Sequence, residues 1–137
     1  MKTINQINIG DSASFTKTIT EGDIMLYAGI SGDFNPAHMD AESAKKGMFG
    51  QRIAHGMLSA GFISNVLGNQ LPGPGTIYMG QELRFVKPVF IGDTVTATVT
   101  VMEKIEEKNR LKLETVVMNQ RGEAVITGTA TVMPPKA

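Results

Sequence analysis

The sequence predicts an α+β fold in which an antiparallel sheet of about five strands wraps around one central buried helix. Residues 76–134 consist almost wholly of alternating patterns typical of strands, and residues 56–71 form an apolar helical pattern without a single charged side chain. The predicted strands are joined by short connections. Such connections favour antiparallel pairing, because parallel strands need long crossovers.

Five segments carry the strand pattern. In 93–101 the threonines occupy one face and the aliphatic residues the other, which is the period of a half-buried strand. Comparable segments are 111–117, 124–132 and 76–86. The segment 7–19 is a candidate for the fifth strand, and a glycine and an aspartate interrupt it near its start.

The helix predicted over 56–71 is apolar around nearly its whole circumference, so it has to be buried on most sides. Shorter helices are predicted over 21–31 and 40–48. A sheet that wraps around one such helix is the hot-dog arrangement. Because a single curved sheet leaves strand edges open, we expect two chains to pair edge to edge as a homodimer, or further as a dimer of dimers.

Length and composition indicate a single domain spanning residues 1–137. The chain carries 13 basic and 13 acidic side chains, so its formal net charge is zero, and it has no cysteine. Balanced charge argues against a nucleic-acid interface, and no apolar run approaches the length of a membrane span. The lack of cysteine excludes a disulfide scaffold, a thiolate nucleophile and a Cys-type zinc site. The first residues also lack the apolar region of a signal peptide, so we expect a cytoplasmic protein.

The segment 27–38 concentrates the side chains that can carry chemistry. Asp33, Asn35 and His38 lie within six residues. Pro36 disfavours helical geometry at the residue before it, so we predict a bent loop rather than a continuing helix. Such a bend can direct a carboxylate and an imidazole at one small molecule, and a water held between them can exchange protons with both. From these residues alone, a turn-forming aspartate and a structural histidine are open alternatives.

The run from residue 27 to residue 44 resembles the signature of the MaoC-like hydratases, a branch of the hot-dog fold. Its centre is Gly-Asp-x-Asn-Pro-x-His, preceded by an aromatic residue and followed by a small residue six positions after the histidine. The matching residues are Tyr27, Ile30, Ser31, Gly32, Asp33, Asn35, Pro36, His38 and Ala44. Segments 54–57 and 88–93 also match, so the resemblance spans nearly the whole chain. The departure is Ala37, where the family prefers a larger aliphatic residue.

The resemblance implies an enzyme that adds water in the syn sense to a trans-2-enoyl-CoA, giving the (R)-3-hydroxyacyl-CoA, and that catalyses the reverse reaction. Among single-domain members, the similarity is greatest to the (R)-specific enoyl-CoA hydratases linked to polyhydroxyalkanoate supply and fatty-acid oxidation. The partner is then an acyl-CoA substrate. No separate cofactor and no metal is expected, since CoA enters as part of the substrate.

By the same resemblance, Asp33 and His38 are the catalytic pair that holds and activates the water, and Asn35 orients them. Gly56 supplies a backbone N–H to the thioester oxygen. That role suits the unpaired N–H groups and the positive dipole end of a helix start. Three residues are candidates for the acyl pocket, although each also fits ordinary structural packing: Ser64, Leu67 and Val132.

Other functions are compatible with this scaffold. Many hot-dog thioesterases, and the acyl-carrier-protein dehydratases of the bacterial type, place an acid on or near the central helix, whereas residues 57–71 contain none. A non-catalytic acyl-binding subunit is a further alternative. A metal hydrolase is disfavoured, because the chain has two histidines, no cysteine and no close pair of ligands. The second histidine, His55, is expected to be structural, capping the helix or packing near the site.

Overall fold

Five antiparallel strands form one open sheet, and the longest helix packs against it. The computed structural model describes residues 1–137. In chain order the elements are a 3-10 turn at Ile4–Gln6, β1 Ser12–Thr18, α1 Glu21–Ser31, α2 Pro36–Met39, α3 Ala41–Lys45, α4 Gly56–Asn69, β2 Ile77–Phe85, β3 Thr94–Ile105, a 3-10 turn at Glu106–Lys108, β4 Arg110–Met118 and β5 Ala124–Met133. The strand order is β1-β3-β4-β5-β2, with every neighbouring pair antiparallel. The predicted α+β architecture of five strands and one central helix is confirmed. None of the helices combines the length and the apolar character needed to cross a bilayer.

The inner face of the sheet follows the alternation of the sequence. In β3, Val95, Ala97 and Val99 are fully buried, whereas the threonines between them are half-buried on the opposite face. These residues belong to one cluster of 22 buried apolar side chains, to which α4 contributes Ile63 and Val66. The cluster fixes α4 on the sheet, and with it the position of the helix start.

One side of α4 is left uncovered. Ala60 and Ile63 are buried, but Met57, Gly61 and Ser64 are exposed. A single five-stranded sheet can cover only one side of a helix, so the far side of α4 faces out of the protomer. The predicted burial on most sides therefore holds only on the side that faces the sheet.

The segment between α1 and α4 departs from the predicted bent loop. Asn35 is the N-cap of α2: its Oδ1 accepts the N–H of Ala37 at 2.9 Å, and Pro36 occupies the first helical position. Proline is tolerated there because the N–H that it lacks would have no partner within the helix. The bend is confined to residues 32–35. His38 lies on a helical turn, so its predicted place in the loop is wrong.

Two further elements are shorter than predicted. The helix expected over 40–48 spans only Ala41–Lys45, after Asp40 caps it by accepting the N–H groups of residues 42 and 43. The strand expected over 7–19 spans only Ser12–Thr18, because Gly10, with a φ of +93°, turns the chain before it.

The sheet ends in two open edges, β1 and β2. β2 exposes Ile77, Met79 and Phe85 beside its unpaired main-chain groups. An exposed apolar edge strand of nine residues is a site for pairing with another strand.

Candidate active site

A cavity of about 540 Å³ lies at the N-terminal end of α4. It brings together Asp33, His38 and Gly56, three of the residues predicted to form the site, and Asp33 is the one carboxylate on its wall. Much of the remaining wall is apolar: Met48, Phe49, Ile53, Ala54, Met57, Phe85, Val86, Pro88, Val89 and Ile126. A cavity of this kind, with a few convergent polar groups, suits a mainly apolar ligand with one reactive end.

Asp33 lies on the tight bend that ends α1. Gly32 adopts a left-handed conformation, with a φ of +79°, and its N–H donates to the carbonyl of Ala28 at 2.8 Å. This C-cap stops the helix one residue before the carboxylate. The carboxylate Oδ1 accepts the N–H of Asn35 at 3.2 Å, and the rest of the side chain is exposed.

His38 presents one ring nitrogen to the cavity. Its Nδ1 lies 2.8 Å from the carbonyl oxygen of Ile53. Because a carbonyl only accepts hydrogen bonds, Nδ1 carries the proton, and Nε2 of the neutral ring keeps a lone pair. Asn35 sits at the base of the turn that carries this imidazole, and its own carbonyl accepts the N–H of His38 at 2.9 Å. The predicted orienting role of Asn35 stays a prediction.

Arg52 anchors the turn that bears His38. Its Nε donates to the carbonyl of His38 at 2.6 Å, and its two terminal nitrogens each lie 3.0 Å from a carboxylate oxygen of Glu21. A bidentate pair of this kind fixes the orientation of a guanidinium. The arrangement ties α2 to the first turn of α1. The sequence carries no signal for it, because the three residues are far apart along the chain.

His55, expected to be structural and without a catalytic partner, contacts both members of the predicted pair. It is 2% exposed. Its Nε2 lies 2.9 Å from the backbone oxygen of Asp33. Its ring stacks on that of His38 with centroids 3.9 Å apart, and the ring of Tyr27 lies 4.7 Å away on a tilted plane.

Gly56 is the first residue of α4, so its N–H has no acceptor within the helix. The partial positive charge of a helix start adds to the attraction of that N–H for a developing negative charge. A Cβ at this position would lie 2.6 Å from Cδ1 and Cε1 of Phe85. Only glycine therefore leaves space between the helix start and this ring.

A charged pair lies at the cavity wall, where Lys87 is the one lysine. Its Nζ lies 2.5 Å from Oε2 of Glu123. Hydrogen bonds from Lys87, Asn119 and Arg121 lower the pKa of Glu123 from 4.5 to about 2. Glu123 is therefore ionised at neutral pH and holds the lysine in place.

Asp33, His38 and His55 form a cluster of possible metal ligands. One ligand atom from each lies within 4.8 Å of the other two, whereas the sequence suggested no close pair. Each imidazole donates its other ring N–H to a backbone carbonyl, as metal-binding histidines commonly do. A metal ion, however, lies in the plane of the imidazole that binds it, and these two planes are stacked at an angle of 27°. Stacked rings are poorly placed to share one ion in both of their planes, so the cluster fits proton transfer better than metal binding.

The three candidates for the acyl pocket do not line this cavity. Ser64 is exposed on the open side of α4, while Leu67 and Val132 are buried in the hydrophobic cluster. Their contact with an acyl chain stays a prediction.

Known proteins resemble this chain over nearly its whole length. A family model described as MaoC like domain matches residues 5–123. An (R)-specific enoyl-CoA hydratase of Rhodospirillum rubrum is 57% identical over 129 residues, which are 94% of this chain and 89% of that protein. The structure of an unliganded R-hydratase from Pseudomonas aeruginosa has a TM-score of 0.93 at 45% identity and covers 98% of this chain and 86% of its own. An (R)-hydratase from Aeromonas caviae involved in PHA biosynthesis has a TM-score of 0.91 at 42% identity, with 94% and 98% of the two chains covered.

Proposed function

Because the chain belongs to the MaoC-like domain family, we propose that it is an (R)-specific enoyl-CoA hydratase. It adds water to a trans-2-enoyl-CoA to give the (R)-3-hydroxyacyl-CoA, and it dehydrates that product in the reverse direction. The observation that carries the proposal is the meeting of the Asp33 carboxylate, the His38 imidazole and the start of α4 in one largely apolar cavity.

In the proposed reaction a water lies between Asp33 and His38. Asp33 takes one proton from this water while the oxygen forms a bond to C3 of the substrate. His38 acts as the imidazolium, with a second proton on Nε2, and delivers that proton to C2, so that H and OH add to the same face. The proton that Asp33 has taken from the water then passes to Nε2, which restores the carboxylate and the imidazolium for the next turnover. A ligand atom of each group lies within 4.8 Å of one from the other, which favours delivery of both parts of the water to one face of the substrate. General acid–base catalysis of this kind contributes about 10²–10⁴-fold to a rate.

The N–H of Gly56 is proposed to bind the thioester oxygen, which gains negative charge as the water oxygen bonds to C3. One such donor typically contributes about 3–4 kcal/mol to transition-state stabilisation. Asn35 is proposed to orient the pair. Contacts with the acyl chain are proposed for Ser64, Leu67 and Val132, which requires the chain to extend along α4 beyond the cavity wall.

A thioesterase is the main alternative on this scaffold. α4 bears no acidic residue, and Asp33 is the one carboxylate in the cavity, paired with an imidazole. A carboxylate and an imidazole can exchange protons with a water that attacks C3, as a hydratase requires. A thioesterase that activates water with an acid on the central helix has no such acid here. Incubation with an enoyl-CoA and with a saturated acyl-CoA separates the two functions, because only a thioesterase, and not the hydratase, releases free thiol. A non-catalytic acyl-binding subunit would bind both compounds and convert neither.

We also propose that the enzyme is a homodimer, alone or within a dimer of dimers, located in the cytoplasm and acting on its substrate without a separate cofactor. Two apolar surfaces of the protomer support the dimer: the edge strand β2 and the uncovered side of α4. Sedimentation velocity at micromolar concentration measures the state directly. A monomer that retains full activity would contradict this part of the proposal.

The test of the proposed pair uses Asp33→Asn and His38→Gln. Each substitution keeps a polar side chain of similar size, and each is expected to lower the hydration rate by at least about 100-fold while the protein still folds. Glu114→Gln, on the exposed face of β4, is the matched control and should retain full activity. Near-normal turnover of crotonyl-CoA by either site variant would overturn the assignment. A chiral analysis of the product tests the stereochemistry, which an (S) product would contradict.

A further inference from the structure

We propose that His55 is a positioning residue that sets the relative placement of the two catalytic groups, Asp33 through a hydrogen bond and His38 through ring stacking. The inference rests on the proposed function of that pair. It assigns to His55 a specific role in place of the general structural role that the sequence suggests.

The first step concerns the bend that carries Asp33. The other hydrogen bonds of Asp33 are local: its N–H donates to Oγ of Ser31 at 3.1 Å, and its Oδ1 accepts the N–H of Asn35. The bond from His55 Nε2 to the backbone oxygen of Asp33, at 2.9 Å, spans 22 residues and is the one that ties this aspartate to a distant part of the chain. Without this bond, only hydrogen bonds between neighbouring residues of the bend would hold the exposed Asp33 in place.

The second step concerns the ring of His38. Its edge is held by the bond from Nδ1 to the carbonyl of Ile53, and one of its faces rests on the imidazole of His55 at 3.9 Å. These two contacts fix both the plane and the rotation of the His38 ring. His38 and Asp33 line the same cavity, so a fixed ring keeps a constant placement relative to the carboxylate.

The third step is the rigidity of the support. His55 is buried at the start of α4, and on its N-terminal side the N–H of Ala54 donates to the carbonyl of Val89 at 2.7 Å. A buried side chain at the start of a helix can define positions on a loop, because its own position is fixed by the surrounding packing.

The choice of histidine supports this role over plain packing. Nδ1 of His55 is buried without a hydrogen-bond partner, which is costly for a polar atom. A phenylalanine would fill the same space and stack on His38 without that cost. What histidine adds is the N–H that reaches Asp33, so the hydrogen bond is the property that distinguishes it.

The experiment compares two substitutions that each remove one contact. His55→Phe keeps an aromatic ring against His38 but has no donor for Asp33. His55→Gln keeps an amide N–H at nearly the reach of Nε2 but has no ring. Because small displacements of reacting groups can cost up to about 100-fold, we expect His55→Phe to lower kcat at least about tenfold with KM changed less than about threefold. His55→Gln should recover part of that loss, since it restores the donor.

A second pair keeps the test decisive if His55→Phe does not fold. His55→Asn carries the same amide as His55→Gln on a shorter side chain that cannot reach Asp33, so its kcat should be the lower of the two. In an Asp33→Asn background the step from Gln to Asn at position 55 should cost less than about twofold, because the carboxylate to be positioned is gone.

Several outcomes would overturn the proposal: a His55→Phe enzyme with wild-type kcat, a change confined to KM, or a His55→Gln enzyme no better than His55→Asn. Failure of the proposed function is distinguishable from these results. It would appear as normal turnover in Asp33→Asn itself, whereas an inactive Asp33→Asn beside a fully active His55→Phe refutes only the positioning role.

Discussion

Replacing Gly56 by alanine should separate catalysis from stability in this protein. Gly56 is the first residue of α4 and its φ lies outside the left-handed region, so its backbone accepts a side chain. Alanine favours a helical backbone over glycine by up to about 1 kcal/mol. Against this gain, the new Cβ would lie 2.6 Å from two ring atoms of Phe85. That ring is 53% exposed at the end of β2, so it can turn aside without disturbing the core.

The cost of the substitution falls on the site. The added methyl group and the displaced Phe85 ring would occupy the space beside the N–H of residue 56, where the thioester oxygen is proposed to bind. Loss of one such donor lowers kcat by about 10²–10³-fold. We therefore expect kcat/KM to fall about 100-fold, which corresponds to about 2.7 kcal/mol. The free energy of unfolding should change by less than about 1 kcal/mol, and Tm by only about 5 °C or less.

The assay is the loss of enoyl-thioester absorbance with crotonyl-CoA, recorded beside a thermal unfolding curve. Gly68→Ala is the matched control, because Gly68 also lies in α4 and an added Cβ there meets nothing within 4 Å. The control should keep wild-type activity. A folded Gly56→Ala enzyme with kcat/KM within threefold of wild type would refute the proposed oxyanion contact, as would an equal loss in the control.

Three further predictions concern the groups around the site. Ser59 is 1% exposed and its Oγ has no hydrogen-bond partner. Ser59→Ala should therefore leave the free energy of unfolding in urea unchanged or raise it by up to about 1 kcal/mol. A clear decrease in that free energy would show that the hydroxyl is hydrogen-bonded in solution. The folded-state pKa of Glu123, about 2, lies below its ordinary value of 4.5, so its contribution to stability is present above pH 4.5 and is lost as the pH falls towards 2. Glu123→Gln should therefore lower Tm at pH 7, and the difference from wild type should shrink as the pH approaches 2; a constant difference would contradict the assignment. Arg52→Met removes both the hydrogen bond to the His38 carbonyl and the ion pair with Glu21. It should lower the free energy of unfolding in urea by about 1–2 kcal/mol. Glu21→Gln leaves the bond to His38 in place and should lower it by less, because Glu21 is half-exposed.

The strands could be predicted closely because their signal is local and periodic. The alternation in β3 places Val95 and Ala97 on one face whatever the strand pairs with, and burial then follows from the sheet. Pro36 has two opposite effects on its neighbours. It disfavours helical geometry at Asn35, which predicts a loop, but proline is also well suited to the first position of a helix. The second effect decides the structure, so His38 lies on a helical turn and not in the loop. His38 and Asp33 still reach the same cavity, because a bend of four residues and one helical turn bring the two side chains together.

The supports of the site could not be predicted in the same way, because each joins segments that no period connects. The bond from His55 to Asp33 spans 22 residues, and the bond from Arg52 to His38 spans 14. One signal for His55 was present. It directly precedes Gly56, at the start of a helix whose lack of charge already required burial, so its imidazole had to be buried near whatever approaches that helix start. A buried histidine beside a predicted anion-binding N–H is more than a helix cap. The cap reading also fails in the structure, because the side chain of His55 makes no hydrogen bond to the helix start. Its ring instead reaches back to the bend that carries Asp33. His55 therefore links the helix start to the proposed acid–base pair through one hydrogen bond and one ring contact.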